Sequence, residues 1–365
     1  MYIEAMQKAS HLTLYTNGMD ACPSNDWELC DVFCGGGLFS YAARDAGMEV
    51  VSAVDNSADA LVVYKLNQSP STVASCATVG PEKTEFTLPP PKPRLHIHLS
   101  PPCVDLSHAK RGARSEEGVG MLKWSIGVGA RYHSFSVETV FTSETLRIAK
   151  ESAEEDDRIS HGVYDAINFG APQNRQRLII ATQGIIKRLN EAPISRRLSV
   201  LDAFRNAGVS IPKGGTHMKN SSLLTEGTSL RPITGPAFTC CASRALSWCT
   251  STGETVMSMK PIHTHVLMGL PTTFNLSGKQ RIDQRVLGNG VAYGLARAIA
   301  LAAMEKPIPA ERGRGDESTS LVLAREGKER MHCLCDELEA RLVRVEHRLQ
   351  LLSRKRRRDS SKLEA

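Results

Sequence analysis

Hydrophobic and polar positions between residues 27 and 67 follow two different periods. The apolar runs LCDVFC and MEVVSAVD have the length and content of β-strands. Each is followed by a stretch with a helical pattern, LFSYAARDAG after the first and SADALVVYKLN after the second. Three glycines break the first strand, and Gly47 ends the first helix. This succession predicts an α/β fold with a doubly wound, mostly parallel sheet that binds ligands at the carboxyl ends of its strands.

The pattern changes in the middle of the chain. Residues 69–94 are rich in Pro, Ser and Thr and predict a loop. LHIHLS reads as a third strand ended by two prolines, and FSVETV and RLIIAT as two more strands. Residues 184–260 mix short apolar runs with Gly, Ser and Thr, which predicts a small, loop-rich subdomain. GNGVAYGLARAIALAAM predicts an apolar helix that closes the globular part.

The C-terminal tail, residues 305–365, has a different composition. A linker rich in Pro, Gly and charge, residues 305–320, precedes a short apolar seam with alternating spacings of four and three. This seam consists of Met331, Cys335, Leu338, Leu342, Val345, Leu349 and Leu352. It predicts either a homodimer through residues 331–352 or a single helix that packs on the core. Five cations from Arg354 to Arg358 suit a nuclear import signal, an arm that binds phosphates or a solvated end, and all three remain open.

The overall composition is that of an ordinary globular chain. Of 365 residues, 41% are hydrophobic and 23% are charged, and the net charge of +6 allows a polyanionic partner without requiring one. Aromatic residues make up only 5%, which argues against rows of rings that stack on single-stranded nucleic acid. The N-terminus predicts no secretory signal, and no apolar run predicts a membrane span. The ten cysteines are expected to be mostly reduced, and their spacing predicts no metal site.

The DVFCGGG segment at residues 31–37 is a candidate ligand-binding turn. Glycines after a strand let a ligand approach backbone amides closely, although such turns are common in α/β proteins. Asp55 ends the next strand, where a carboxylate can bind the two hydroxyls of a ribose. The alternative is that Asp55 caps the helix that starts at Ser57.

Three further groups of residues carry candidate chemistry. SPPC presents Cys103 on a loop stiffened by proline at a strand end, which favours a nucleophile or a ligand over a buried structural thiol. Glu138 lies at the end of FSVETV, where it could act as an acid or be a turn residue. QNRQR places the guanidiniums of Arg175 and Arg177 on one face, to pair with carboxylates or to meet a substrate.

The motifs DVFCGGG, SPPC, VETV, QNRQR and GNGV, together with Asp55, occur in an order that resembles the C5-cytosine methyltransferase family. The resemblance runs from about Trp27 to Met304 and implies a Rossmann-like fold that uses S-adenosylmethionine. It also implies five segments: an N-terminal extension at 1–26, a catalytic lobe at 27–182, a target-recognition subdomain at 183–260, a return to the catalytic lobe at 261–304, and the tail.

The resemblance also implies a role for each motif residue. Cys103 would attack C6 of a cytosine flipped out of double-stranded DNA, and Glu138 would bind and protonate N3. Arg175 and Arg177 would orient the cysteine and the base and stabilise the developing charge. The C5 carbanion then takes the methyl group, and loss of the C5 proton releases Cys103. The residues that would contact or adjoin the cofactor are Phe33, Gly35, Gly37, Asp55, Pro102 and Asn289.

Basic residues in two regions are candidates for contact with DNA. Lys110, Arg111 and Arg114 follow Cys103 in a loop that could close over a phosphate backbone, or that could be only solvated surface. Arg231 and Arg244 lie in the predicted recognition subdomain. A small subdomain implies a short or relaxed target sequence.

The sequence departs from the family at several places. Leu38 stands where a glycine is usual, Val104 where glutamine is usual and Thr139 where asparagine is usual, and TVASCATVG lacks the acid that often holds adenine. Leu38 is expected to tighten the cofactor pocket and Thr139 to loosen the support beneath the Pro-Cys loop.

Three alternatives remain beside a DNA methyltransferase. A tRNA cytosine methyltransferase is disfavoured because the Cys-Phe-Thr tripeptide of that branch is absent. A catalytically degenerate DNA-binding protein would use the basic tail, and a nicotinamide-dependent oxidoreductase would give no role to SPPC or QNRQR. The basic tail suggests the nucleus, with the cytoplasm as the alternative location.

Overall fold

The structure is a computed structural model that describes residues 26–69, 71–102, 116–220 and 229–310. Several predictions concern residues outside these ranges: the N-terminal extension, Cys103 with the cations at 110, 111 and 114, and the tail with its seam and basic run.

The larger sheet has seven strands in the order β3-β2-β1-β4-β5-β7-β6. All neighbours are parallel except β7, which runs antiparallel to both β5 and β6. The predicted doubly wound, mostly parallel sheet is therefore confirmed. Its strands are β1 (Glu28–Val32), β2 (Glu49–Asp55), β3 (Val73–Cys76), β4 (Leu95–Leu99), β5 (Ser134–Val140), β6 (Ile159–Asp165) and β7 (Gln176–Thr182).

Nine α-helices lie in the described part of the chain. They are α1 (Leu38–Ala46), α2 (Ala58–Asn67), α3 (Glu116–Gly129), α4 (Ser143–Glu155), α5 (Gln183–Glu191), α6 (Val200–Asn206), α7 (Pro261–Leu267), α8 (Gln280–Asn289) and α9 (Tyr293–Ala303).

Helices cover both faces of the large sheet because its buried strands carry apolar residues on both sides. Helices α1, α5 and α9 pack on one face around Phe39, Ile185 and Ile299. Helices α3 and α4 pack on the other face around Leu122 and Ile148. In β1, Leu29 belongs to the first cluster and Cys30 and Val32 to the second, as the two-residue period of a strand requires.

The predicted elements near the N-terminus form as expected. Gly47 ends α1 in the left-handed conformation, with φ 103°, and its N–H donates to the carbonyl of Arg44. LHIHLS, FSVETV and RLIIAT contain β4, β5 and β7.

Three details differ from the sequence-based expectation. The segment at 69–94 contains the edge strand β3, which the loop prediction missed because only four residues pair. Strand β6 was also missed, because this outer strand is half-exposed and its sequence ISHGVYD is largely polar. The last helix starts at Tyr293, since GNG ends α8 and turns the chain.

A second, four-stranded sheet lies within the predicted recognition subdomain. Its antiparallel order is β11-β10-β8-β9, formed by β8 (His217–Lys219), β9 (Arg231–Pro232), β10 (Ser247–Cys249) and β11 (Thr255–Ser258). The fully buried Trp248 packs edge-on against Phe204 of α6, with ring centroids 5.2 Å apart. The subdomain boundaries remain predictions, and α5, which lies inside them, packs with the large sheet.

Among the described residues, no single helix is long and apolar enough to cross a bilayer, although α8 and α9 together, bent by 47°, would meet the criteria of length and composition.

Candidate active site

The glycine turn between β1 and α1 lies at the carboxyl edge of the large sheet. Phe33 and Gly35 both have positive φ, 60° and 53°, which the tight turn requires. A Cβ atom on Gly35 would meet no atom within 4 Å, so one side of the turn is open. Half-buried Phe33 lies edge-on to Trp124 of α3, 6.2 Å between ring centroids, and forms an apolar wall beside this opening.

Gly37 cannot carry a side chain for two reasons. Its φ is 82°, and a Cβ atom would lie 2.7 Å from Cδ2 of Tyr64. Helix α1 therefore starts tightly against α2, which fixes the direction in which the amides of the turn point.

Asp55 braces the glycine turn from the end of β2. Its Oδ2 accepts a hydrogen bond from the Gly35 N–H at 2.8 Å, and its Oδ1 accepts one from the Ser57 N–H at 2.8 Å. The Ser57 hydroxyl, rather than Asp55, caps α2, since it accepts from the N–H of Ala60. Asp55 thus holds the loop between β2 and α2 and the glycine turn together. Its contact with a ribose remains a prediction.

Asp31 is a buried carboxyl group beneath the same turn. Its Oδ2 accepts a hydrogen bond from the Ser40 hydroxyl at 2.6 Å, and that hydroxyl accepts from Tyr64 at 3.1 Å. Burial and the nearby charge of Asp55 raise the pKa of Asp31 to about 7, although the bond from Ser40 acts in the opposite direction.

Strand β4 leads directly to the Pro-Pro-Cys motif. The Ser100 N–H donates to the carbonyl of Val32 at 3.1 Å, which holds the start of this loop beside the glycine turn. Pro101 is buried and Pro102 is exposed. Cys103 follows immediately but lies outside the described residues.

Glu138 and Arg177 form a buried ion pair between neighbouring strands. Arg177 Nε lies 2.7 Å from Glu138 Oε1, and the two side chains are only 12% and 7% exposed. The contact lies outside hydrogen-bond geometry, so Oε1 has no hydrogen-bond partner among the described residues. β4 and β5 pair up to Leu99 and Val137, which places Glu138 at the level of Ser100.

Arg175 has different partners from Arg177. Its guanidinium donates to the carbonyls of Cys240 at 2.8 Å, Gly288 at 3.0 Å and Gly290 at 2.8 Å. The side chain is 1% exposed. Arg175 thus ties the segment at 240 to the turn between α8 and α9, and its contact with a base remains a prediction.

The first two residues of QNRQR bind Leu267 of α7 and the segment at 239–240, a role that sequence reasoning missed. The buried carboxamide of Gln173 donates to the carbonyl of Leu267 at 2.7 Å and accepts from the Cys240 N–H at 3.0 Å. Asn174 accepts from the Thr239 hydroxyl through its own carbonyl at 2.6 Å. No local signal in the sequence marks this role, because the partners are 65 or more positions away along the chain.

Arg231 and Arg244, the described candidates for DNA contact, have different surroundings. The Arg231 guanidinium donates to Oδ1 of Asn174 at 2.8 Å and lies 4.1 Å over the ring of Phe238. Arg244 is exposed. Contact with DNA remains a prediction for both.

The residues that depart from the family pattern have clear surroundings. Leu38 is buried and packs closely on the turn between α8 and α9. A Cβ atom on Gly290 in that turn would lie only 2.5 Å from Leu38 Cδ2. Asn289 is exposed beside that turn. The buried hydroxyl of Thr139 has no hydrogen-bond partner among the described residues. The missing hydrogen bond of Thr139 agrees with the expectation that this residue supports the Pro-Cys loop weakly. That expectation remains a prediction.

The part of the chain that the structure describes contains no group of three or more His, Cys, Asp or Glu side chains placed to hold a metal ion.

Comparison with known proteins identifies the fold. No protein-family model matches the chain, and no curated protein matches it. Among solved structures, it is similar to a DNA modification methyltransferase encoded within an Escherichia coli prophage, with a TM-score of 0.51 and 15% identity over 76% of this chain and 99% of that one. It is also similar to the S. pombe Dnmt2 methyltransferase, with a TM-score of 0.51 and 13% identity over 76% of this chain and 98% of that one. The chain therefore has the Rossmann-like methyltransferase fold that the sequence resemblance implied.

Proposed function

We propose that the chain is an S-adenosylmethionine-dependent methyltransferase that modifies C5 of cytosine in double-stranded DNA. The observation that carries this proposal is the buried pair of Glu138 and Arg177. Glu138 lies on β5, next to β4 and level with Ser100, where the chain enters Pro101-Pro102-Cys103, and Arg177 lies on β7 on the other side of β5. A carboxyl group, a guanidinium and a cysteine loop at one sheet edge match the requirements of nucleophilic attack on a cytosine.

Each group has a part in this reaction. The Cys103 thiolate attacks C6 of a flipped cytosine, while Glu138 binds N3 and supplies the proton that makes C6 electrophilic. Arg177 orients Glu138 and the base, and Arg175 holds the surrounding backbone in place. After methyl transfer to C5, loss of the C5 proton breaks the bond to Cys103 and restores the thiolate.

The carboxyl edge of β1 and β2 fits the cofactor. The open side of Gly35 leaves room beside the backbone, Phe33 offers an apolar surface, and Asp55 holds a carboxylate at the end of β2. Pro102 and Asn289 are both exposed, and we extend the proposed cofactor site to them. When bound, S-adenosylmethionine supplies the methyl group.

DNA is the proposed substrate because a flipped base needs a positively charged surface around the site to hold the backbone. The chain carries a net charge of +6, and exposed Arg244 lies in the predicted recognition subdomain. We extend the proposal to Arg231 and to Lys110, Arg111 and Arg114. The seam at 331–352 and the basic run from 354 to 358 are proposed to serve dimerisation and nuclear import.

The test is transfer of a labelled methyl group from S-adenosylmethionine, with duplex DNA and tRNA offered separately. The expected result is label on DNA that disappears in Cys103→Ser and falls by at least about 100-fold in Glu138→Gln. Cys22→Ser, a thiol in the predicted N-terminal extension, is the matched control and should keep full activity.

Each other result leads to a different conclusion. Label on tRNA alone would move the chain to a tRNA methyltransferase. DNA binding without transfer, unchanged in Cys103→Ser, would make it a catalytically degenerate DNA-binding protein. Label that persists in Cys103→Ser would overturn the covalent mechanism.

A further inference from the structure

Five side chains form an unbroken row of hydrogen bonds through the interior of the large sheet. The Ser134 hydroxyl lies 2.8 Å from His96 Nδ1, and His96 Nε2 lies 2.9 Å from the Ser136 hydroxyl. The same Ser136 hydroxyl lies 2.8 Å from His98 Nδ1, and His98 Nε2 lies 2.8 Å from the Ser100 hydroxyl. Both nitrogens of each imidazole are therefore in use.

The row results from the register of two parallel strands. β4 and β5 pair His96 with Ser134 and His98 with Ser136, so these side chains share one face. Both imidazoles are completely buried, and the ring of Phe39 from α1 stacks on His98 with 3.4 Å between centroids. A buried strand of this kind normally carries aliphatic residues, so two imidazoles here call for an explanation.

Burial keeps both imidazoles uncharged. It lowers the pKa of His96 to about 3, and burial together with the neighbouring His96 lowers the pKa of His98 well below its usual value. A neutral imidazole donates from one ring nitrogen and accepts at the other, which is the property needed to pass a proton.

We propose that this row, the His96–His98 relay, carries the proton lost from C5 of the methylated cytosine from the carboxyl edge of the sheet to its opposite edge. The inference rests on the proposed function, since only a C5 methylation produces that proton.

One proton enters the row and one leaves it, so no residue of the row carries a charge before or after the transfer. The C5–H bond breaks, its electron pair forms the C5–C6 double bond as Cys103 leaves, and the proton arrives at Ser100 Oγ. The Ser100 hydroxyl proton then moves to His98 Nε2, and the proton on His98 Nδ1 moves to the Ser136 hydroxyl. In the same way, the Ser136 hydroxyl proton moves to His96 Nε2, and the proton on His96 Nδ1 moves to the Ser134 hydroxyl. Ser134 then releases one proton to water. The two imidazoles change tautomer but remain neutral.

The two ends of the row lie where a relay needs them. Ser100 is three residues before Cys103, so their Cα atoms lie no more than about 11 Å apart. It is half-exposed at the edge that carries Glu138. Ser134 is the first residue of β5, at the other edge of the sheet, and is 6% exposed. A water between Ser100 and the base would complete the path at one end.

The experiment separates methyl transfer from proton loss in a single turnover. The substrate is duplex DNA with tritium at cytosine C5, and the cofactor carries a labelled methyl group. Ser136→Ala removes the central hydroxyl, and Ser136→Thr keeps it. His98→Gln places an amide at the position of Nε2 that can still bond to Ser100 but cannot pass a proton. Ser125→Ala, which removes a buried hydroxyl bonded to the Met121 carbonyl, is the control.

The relay predicts that Ser136→Ala and His98→Gln transfer the methyl group within about twofold of the unchanged protein but release tritium about 100-fold more slowly. A denaturant-resistant adduct of protein and methylated DNA should accumulate. Ser136→Thr and Ser125→Ala should release tritium normally. If Ser136→Ala does not fold, His98→Gln carries the same prediction.

Three outcomes would overturn the relay. Normal tritium release in Ser136→Ala and His98→Gln, or an equal fall in methyl transfer and tritium release, would reduce the row to a structural role while leaving the proposed function intact. Absence of methyl transfer by the unchanged protein would overturn the proposed function and the relay with it.

Discussion

Arg177 Nε and Glu138 Oε1 lie 2.7 Å apart on antiparallel strands, and burial of both side chains makes each the counter-charge of the other. Removing one partner would leave a buried, uncompensated charge. Arg177→Met should therefore lower the free energy of unfolding by about 3 to 5 kcal/mol, and adding Glu138→Gln should restore most of that loss. Urea unfolding of the single and double variants measures this coupling. Strictly additive losses would contradict it.

Arg175 should be irreplaceable by lysine. Its fork donates to three carbonyls at once, and the single ammonium group of lysine cannot match that geometry. We expect Arg175→Lys to lower the free energy of unfolding by about 2 to 4 kcal/mol. Exposed Arg244→Lys is the control and should change it by less than about 0.5 kcal/mol. Equal effects of the two substitutions in urea unfolding would show that the three bonds contribute nothing.

Asp31 should make stability depend on pH. Burial raises its folded-state pKa from 3.8 to about 7, so the folded protein binds this proton more tightly than the unfolded chain does. Its contribution to stability is present below about pH 4 and is lost as the pH rises through about 7. Asp31→Asn, which cannot ionise, should therefore gain stability relative to the unchanged protein between pH 5 and pH 8.5.

Urea unfolding of both proteins at the two pH values measures this difference, and the titration of other groups cancels in the comparison. The same difference at both values would mean that Asp31 does not titrate differently in the two states.

Gly294 lies where α9 meets the short 3-10 helix at Ala166–Phe169. A Cβ atom there would lie 1.7 Å from the carbonyl oxygen of Phe169, a contact that backbone on both sides prevents from relaxing. Gly294→Ala should lower the free energy of unfolding by about 3 kcal/mol. Gly120→Ala, in α3 with no atom within 4 Å, should raise it by up to about 1 kcal/mol. Equal melting temperatures of the two variants in thermal unfolding would contradict this prediction.

The sequence predicts those parts of the fold that depend on local pattern. The elements from β1 to α2 follow from periodicity and from Gly47, and the structure confirms them. Strands β3 and β6 were missed because both lie at the edges of the sheet, where exposed positions need no apolar residue. The short apolar alternation that identifies an internal strand is absent from them.

The site is less predictable because it depends on pairing between distant strands. QNRQR indicates two guanidiniums, but only the register of β5 against β7 shows that Arg177 meets Glu138. The sequence predicts the two histidines of LHIHLS only as strand residues. Their neighbours in the sequence do not show that serines on β5 lie opposite them. The roles predicted for Cys103 and the other motif residues remain predictions.

The contact between α1 and α9 has a consequence for synthesis. Phe39 and Ala42 of α1 are among the first described residues to leave the ribosome, and α9, whose Leu295 and Ile299 share their apolar cluster, is the last described helix to be made. The face of α1 that α9 covers therefore stays exposed while most of the chain is translated. Until α9 is made, the nascent chain exposes this apolar surface to aggregation and to binding by chaperones.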